Sequence, residues 1–242
     1  MEIRPHERKS HFRFKQFTVA HDRSTMKVGT DAVLIGAWSN VEGAGKMLDI
    51  GTGCGIIALM LAQRTGSSAH IDAVELDADS ASQAKENFAH SPWPDKLFVH
   101  HTTIQEFDSP GKYDLIISNP PYFNRSLQPP DKRRGYARHT TSLKFSDLLA
   151  AVDRLLSSSG RFNVILPFTE GIEFMSAAEK SGFYCTRQWR CKSKENKPWE
   201  RWLMEWRRTG EAVEYGEIVI NGSDGHWSDD YIRMTKEFYW LL

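Results

Sequence analysis

Cysteine, long apolar runs and net charge are all scarce in this chain of 242 residues. Its three cysteines, Cys54, Cys185 and Cys191, are an odd number without disulfide spacing, and the five residues between the last two include no histidine or second cysteine pair. Neither a disulfide framework nor a zinc site is therefore expected, and a reducing cytoplasm fits. The nine histidines also show no ligand spacing, so no metal is expected. The longest apolar stretch, around Ile56 to Ala62, falls far short of the roughly 18 residues a membrane span needs. Met1 to Gln16 is studded with Arg, Lys and His and has no apolar leader core. The expectation is a soluble, unsecreted, cytoplasmic protein with no membrane partner.

At 40% hydrophobic and 26% charged residues the composition is globular and excludes disorder and collagen-like architecture. The length, set against roughly 150 residues per domain, predicts one domain over 1–242, with a short N-terminal extension over about 1–45. The formal net charge of zero hides a segregation. Residues 1–27 hold seven Lys/Arg against three acids, 123–144 six against one, and 185–210 eight against three, an excess of 14 positive charges in 75 residues. Such a split can produce a basic face on an acidic body, the footprint of a polyanion. Aromatics interleaved with these charges (Phe12, Phe14, Phe17; Tyr122, Phe123, Tyr136; Trp189, Trp199, Trp202) point toward nucleic acid. In the middle window, Arg125, Lys132, Arg133, Arg134 and Arg138 are the candidate phosphate contacts.

From residue 46 onward, strand and helix patterns alternate. Strands are expected at Lys46 to Ile50, His70 to Glu75, Lys96 to His100, Tyr113 to Ser118 and Arg161 to Leu166. Helices are expected over Ile56 to Arg64, from an Asp79 cap to about Ala89, and along the stripe Leu148, Leu149, Val152, Leu155, Leu156 that runs into a Ser-Ser-Ser-Gly turn. Residues 184–192 and 201–207 read as a late strand pair. This order predicts an α/β fold with a Rossmann-like, doubly wound, mostly parallel sheet, which binds ligands at the carboxyl ends of its strands near the point where strand order reverses.

The string Leu48-Asp49-Ile50-Gly51-Thr52-Gly53-Cys54-Gly55 lies between a strand and a helix, where glycines permit a tight turn and close approach of a ligand. It is not a dinucleotide fingerprint, because its third glycine comes one position early and an acid precedes it. A pyrophosphate is poorly served by Asp49, whereas an ammonium group is well served. Glu75 ends the next strand, where a carboxylate can accept hydrogen bonds from two ribose hydroxyls. A nucleoside with an amino-acid tail and no phosphates satisfies both acids, which makes S-adenosyl-L-methionine (SAM) the expected cofactor. Cys54 reads as small filler in the loop rather than as a reagent.

The fourth strand runs into Ser118-Asn119-Pro120-Pro121-Tyr122, whose prolines fix a rigid, extended turn with free carbonyls. An exocyclic amine conjugated to a ring is nearly non-nucleophilic until its nitrogen pyramidalises. The Asn119 side-chain oxygen and the Pro120 carbonyl can each accept one N–H and hold the lone pair toward a methyl donor. Tyr122 would stack on the flipped base, worth about 1–3 kcal/mol.

These motifs resemble class I SAM-dependent methyltransferases that modify planar amino groups. The upstream run Phe14-Lys15-Gln16-Phe17, then Met26 through Trp38, is more specific: it resembles the bacterial tRNA1(Val) adenine-N6 methyltransferase family, which acts on the adenine 3′ of the anticodon. The match continues through Ile104-Gln105-Glu106-Phe107 to Phe238-Tyr239. The resemblance implies a tRNA partner, a pocket holding SAM between Leu76 and Ile104, and help from Gln16, Thr30 and Asp31 in closing its methionine end, with Asn119 shared between cofactor and substrate. Where relatives often place Asp after the third strand this chain has Thr103, whose hydroxyl is left to meet the cofactor's adenine amine. The motif Asn-Pro-Pro-Tyr also resembles that of the release-factor glutamine N5-methyltransferases, but those carry a separate helical N-terminal domain. Guanine-N2 enzymes of ribosomal RNA usually have Phe in place of Tyr122. A SAM- or RNA-binding module without turnover would leave Asn119 without a purpose.

Overall fold

The computed structural model describes residues 10–121 and 143–240. Its centre is an eight-stranded sheet in the order β10-β8-β9-β7-β6-β3-β4-β5. The strands are β3 (Lys46–Ile50), β4 (His70–Glu75), β5 (Leu97–His101), β6 (Tyr113–Ser118), β7 (Leu156–Pro167), β8 (Tyr184–Lys194), β9 (Arg201–Arg207) and β10 (Glu214–Asn221). A short antiparallel hairpin, β1 (His11–Arg13) and β2 (Thr18–Ala20), precedes them. Only β9 runs against its neighbours, so the sheet is mostly parallel with the expected late antiparallel pair. The strand order reverses at β3, which has β4 on one side and β6 on the other. The crevice at the carboxyl ends of β3 and β6 is where such a sheet places its ligand.

Helices cover both faces. α1 (Thr30–Trp38), α2 (Ile56–Arg64) and α3 (Ala78–Ala89) belong to one side, together with the late helix α6 (Asp229–Thr235). α4 (Phe145–Leu155) and α5 (Phe168–Lys180) cover the other. α2 is buried along most of its length, which is why its sequence is a continuous apolar run rather than a stripe. α1 is similar, since it packs on α2, α6 and β7 at once. The sequence pattern did not announce it for that reason.

Three local expectations are corrected. Asp77, not Asp79, caps α3: its extended backbone places Oδ1 to accept the Ser80 N–H at 2.8 Å, while Asp79 sits in the first turn. Strand β5 begins one residue later than expected, because Lys96 belongs to a preceding turn and sends its ammonium to the last carbonyls of α2. The Ser-Ser-Ser-Gly segment is not a turn. β7 starts at Leu156, opposite Tyr113, and its pairing resumes with Leu115 opposite Arg161, so the strand bulges through Ser157–Gly160. A Cβ on Gly160 would lie 2.8 Å from the Tyr113 carbonyl, which explains the glycine there.

The N-terminal segment is sewn onto this frame. Asn87 of α3 exchanges hydrogen bonds with both backbone groups of Ala20 and also donates to the Cys54 carbonyl, while the Gln83 amide oxygen accepts from the Arg23 and Ser24 N–H groups. Phe14, Phe17 and Val19 join the core under α1 and α2. The Lys15 N–H donates to the Phe238 carbonyl, tying the hairpin to the end of the chain.

Candidate active site

The loop after β3 folds back on β4. The N–H groups of Gly51 and Thr52 donate to the Val74 carbonyl (2.9 and 3.1 Å), and the Gly53 N–H donates to Glu75 Oε2 at 2.8 Å. Gly51, Gly53 and Gly55 all have positive φ, which side chains rarely tolerate. Gly55 serves packing as well: a Cβ there would lie 2.4 Å from the Phe88 ring. Because these amides are engaged within the fold, the loop does not offer the ring of free N–H groups that a pyrophosphate requires.

A cavity of about 860 Å³ opens along the carboxyl ends of the strands. Its lining includes Glu75, Leu76, Thr103 and Ile104 after β4 and β5, the loop residues Gly51, Thr52 and Gly53, and Thr30 and Asp31 at the start of α1. Asn119 and Pro120 after β6 line it too, with Cys191, Ser193 and Arg201 from the late strands. The Ser118 hydroxyl donates to the Ile50 carbonyl at 3.0 Å, which locks the end of β6, and hence Asn119, beside the glycine loop. Glu75 Oε1 accepts the Asp77 N–H at 2.9 Å, so each carboxylate oxygen holds one backbone donor and keeps a further lone pair. Burial raises the Glu75 carboxyl above the ordinary glutamate range.

The structure thus brings Thr30, Asp31, Gly51, Gly53, Glu75, Leu76, Thr103, Ile104, Asn119 and Pro120 to one cavity. It does not bring Gln16, which is exposed in the bend between β1 and β2. Asp49 and Gly55 lie behind the wall rather than in it. Asp49 is fully buried, its Oδ2 accepts the Thr52 hydroxyl at 2.6 Å, its Oδ1 has no hydrogen-bond partner, and desolvation pushes its carboxyl up to about 7. Cys54 is buried and its thiol is pushed up to about 12, consistent with filler rather than a nucleophile. Tyr122, Arg125, Lys132, Arg133, Arg134 and Arg138 lie outside the described residues.

Sequence reasoning missed the late-strand part of the lining. Arg201 Nε sits 2.7 Å from Asp31 Oδ2, an ion pair in the cavity's lining that joins β9 to α1, and no motif spacing links residues so distant in the chain. The basic window 185–210 is also less available than its composition suggests. Arg187 pairs with Glu214, Lys192 with Glu195, Arg207 with Glu205 and Arg208 with Asp153. Its Trp202 is buried and stacks on Phe168, and Phe14 and Phe17 of the first window are core residues, so part of the aromatic interleaving is packing. Among the described residues no cluster could hold a metal ion, and no helix is long and apolar enough to cross a membrane.

A family model, the methyltransferase small domain, matches residues 23–132. Among solved structures, the chain resembles a predicted O-methyltransferase from Agrobacterium tumefaciens (TM-score 0.65, 15% identity, 86% of this chain and 96% of that one). It also resembles the glycopeptide N-methyltransferase MtfA solved with SAM (TM-score 0.57, 13% identity, 78% and 98%). Both likenesses are of fold alone. Sequence relatives are much nearer: a tRNA1(Val) (adenine(37)-N6)-methyltransferase of Aeromonas hydrophila is 45% identical over 96% of this chain and 98% of its own length. Those of Bacteroides thetaiotaomicron (43%, over 94% and 96%) and Citrobacter koseri (43%, over 97% and 97%) bear the same name. A doubly wound sheet with a phosphate-averse glycine loop beside Asn119, matched nearly end to end by these proteins, belongs to the tRNA1(Val) (adenine(37)-N6)-methyltransferase family.

Proposed function

We propose that this protein transfers a methyl group from SAM to the exocyclic N6 amine of adenine 37 in tRNA1(Val). The observation that carries the reading is the similarity over nearly the full length to enzymes of that name, in a chain whose cavity is lined by both Glu75 and Asn119. The cavity suits the cofactor. Glu75 keeps lone pairs for ribose hydroxyls, Leu76 and Ile104 offer apolar walls for a base, and the loop amides are not set for phosphate. When bound, the cofactor supplies an electrophilic methyl group on a sulfonium.

The chain's own residues then have separable tasks. Glu75 binds the ribose. Gly51 and Gly53 allow close approach of the amino-acid tail, with Thr30 and Asp31 opposite. Asp49 acts through Thr52, whose hydroxyl it holds, and is a positioning residue. Asn119 and Pro120 accept the two amine protons and direct the nitrogen lone pair toward the methyl carbon. As the N–C bond forms, the S–C bond to the methyl breaks with its electron pair left on sulfur as a neutral thioether; the methylated nitrogen then gives its extra proton to water, so no strong base is needed at the amine. Tyr122 stacks on the flipped base, and Arg125, Lys132, Arg133, Arg134 and Arg138 contact flanking phosphates.

On this reading residues 1–242 form one domain whose first 45 or so residues complete the cofactor pocket. The protein works as a monomer in the cytoplasm, on tRNA. The test is incubation with methyl-labelled SAM and individual tRNA transcripts, followed by digestion to nucleosides. Label is expected in N6-methyladenosine from tRNA1(Val) and is lost when adenine 37 is replaced. Label in glutamine of a protein extract, or in N2-methylguanosine, would overturn the reading.

A further inference from the structure

A cofactor whose ribose is held by Glu75 would meet, with its base, Leu76 and the turn Thr103–Phe107, whose residues Thr103, Ile104, Gln105 and Glu106 line the same cavity as Glu75. An exocyclic amine there is a donor of two hydrogens, and leaving it without an acceptor in a partly enclosed site weakens binding. Thr103, which the sequence offers for that task, has its proton committed: its Oγ1 donates to Glu106 Oε2 at 3.0 Å. The same oxygen accepts the Glu106 N–H at 3.2 Å, leaving Thr103 a single lone pair on a neutral hydroxyl, whereas the Glu106 carboxylate keeps several and is charged.

Glu106 lines the same cavity. We infer that Glu106 is the acceptor for the cofactor's adenine amine, with Thr103 as the residue that aims it. Other carboxylates along the cavity have work elsewhere: Asp31 pairs with Arg201, Glu200 accepts the Ser193 hydroxyl, and Asp147 accepts from Gln105 and Ser146. The turn that carries Glu106 is rigid. Arg154 donates to the Phe107 carbonyl at 2.7 Å and to the Ile104 carbonyl at 2.9 Å, and Ile104 and Phe107 are themselves buried. A carboxylate fixed beforehand by a hydroxyl and a backbone turn loses little entropy on accepting a ligand N–H, and an ionised acceptor gives a stronger bond than a hydroxyl.

This inference rests on the SAM reading, and one calorimetric series separates the two. Affinities of S-adenosylhomocysteine and of its 6-desamino analogue, in which hydrogen replaces the exocyclic amine, are measured on the wild type, Glu106→Ala and Thr103→Val. The wild type is expected to prefer the amine-bearing ligand by about tenfold or more, the scale of a hydrogen bond to a charged group. Glu106→Ala is expected to bring the ratio to within about threefold, and Thr103→Val to keep most of it. If Glu106 served only to cap its turn, its removal would weaken both ligands alike and leave the ratio unchanged, which overturns the assignment. Loss of the ratio in Thr103→Val with retention in Glu106→Ala would overturn it equally. Failure of the wild type to bind either ligand would overturn the cofactor reading and the assignment with it.

Discussion

Burial of Asp49 ties the glycine loop to pH. Its folded-state carboxyl stands at about 7 against an ordinary 3.8, so between these values the folded protein keeps a proton that the unfolded chain has released. Stability therefore falls as pH rises from about 4 to 7 and levels off above, a loss on the order of 4 kcal/mol. Asp49→Asn imitates the protonated form, and its melting temperature is expected to exceed that of the wild type at pH 8 but not at pH 5. Parallel melting curves for the two proteins across pH 5–8 would refute this. The ligand-facing residues divide differently. Glu75→Ala should weaken S-adenosylhomocysteine binding by about tenfold or more, since it removes a doubly hydrogen-bonded acceptor. Asn119→Ala should keep that affinity within about threefold while kcat falls by about a hundredfold or more, because its bonds to the amine matter only on the way to the transition state. Unchanged affinity in the first variant, or near-normal turnover in the second, would remove that residue from its role. Spacing in the chain singled out Asp49, Glu75 and Asn119, and of these Glu75 and Asn119 line the cavity. That Asp49 stands behind Thr52 rather than in the cavity was not legible there, because spacing reports which residues share a strand end and says nothing of which side chain turns outward.

At the scale of elements, β3, β4 and β6 were readable because each is a short, largely apolar run followed within two residues by Gly, Asp or Pro. Their partners were harder. α1 has no polar face to mark its period, β10 finds its place by pairing with β8, and the β1–β2 hairpin, though its turn is closed by the Phe14 N–H to Phe17 carbonyl bond, is anchored by contacts with α3 and the chain's end. The bulge in β7 was misread as a turn because Ser-Ser-Ser-Gly suits both, and only the neighbouring Tyr113 carbonyl decides between them. Lys96 illustrates the same limit. Its ammonium donates to the carbonyls of Ala62, Thr65 and Gly66 at 2.7, 2.9 and 3.3 Å, closing the carboxyl end of α2 where the helix dipole favours a cation. Lys96→Met keeps the apolar stem and removes the donor, and it is expected to cost about 2 kcal/mol in denaturant unfolding. S-adenosylhomocysteine affinity should not change, because α2 contributes to the cavity from its other end. A variant as stable as the wild type would show that water replaces the ammonium without loss.

Across the whole molecule the question is which positive charges a polyanion can use. The chain is neutral overall, and the excess in its basic windows is only a potential footprint until the pairing of each charge is known. In the late strands Arg187, Arg207 and Arg208 already have carboxylate partners at 3.1, 3.1 and 2.6 Å. A phosphate would have to displace those partners, so little is gained by releasing its counterions there. Residues 132–134 belong to the segment that follows Asn119-Pro120-Pro121-Tyr122 in the chain and are three consecutive bases beside a single acid, Asp131. Each phosphate contact to a single-stranded loop adds about −0.7 to the log-log salt slope, so Lys132→Gln, Arg133→Gln and Arg134→Gln together should flatten the slope by about 2. The same triple change at Arg187, Arg207 and Arg208 removes an equal net charge but should leave the slope nearly unaltered and lower stability instead. Titrating both variants with tRNA1(Val) between about 50 and 200 mM salt compares location at constant charge. Equal flattening in the two would mean that overall charge, rather than residues 132–134, governs association; flattening in the late-strand variant alone would move the phosphate track to β8 and β9.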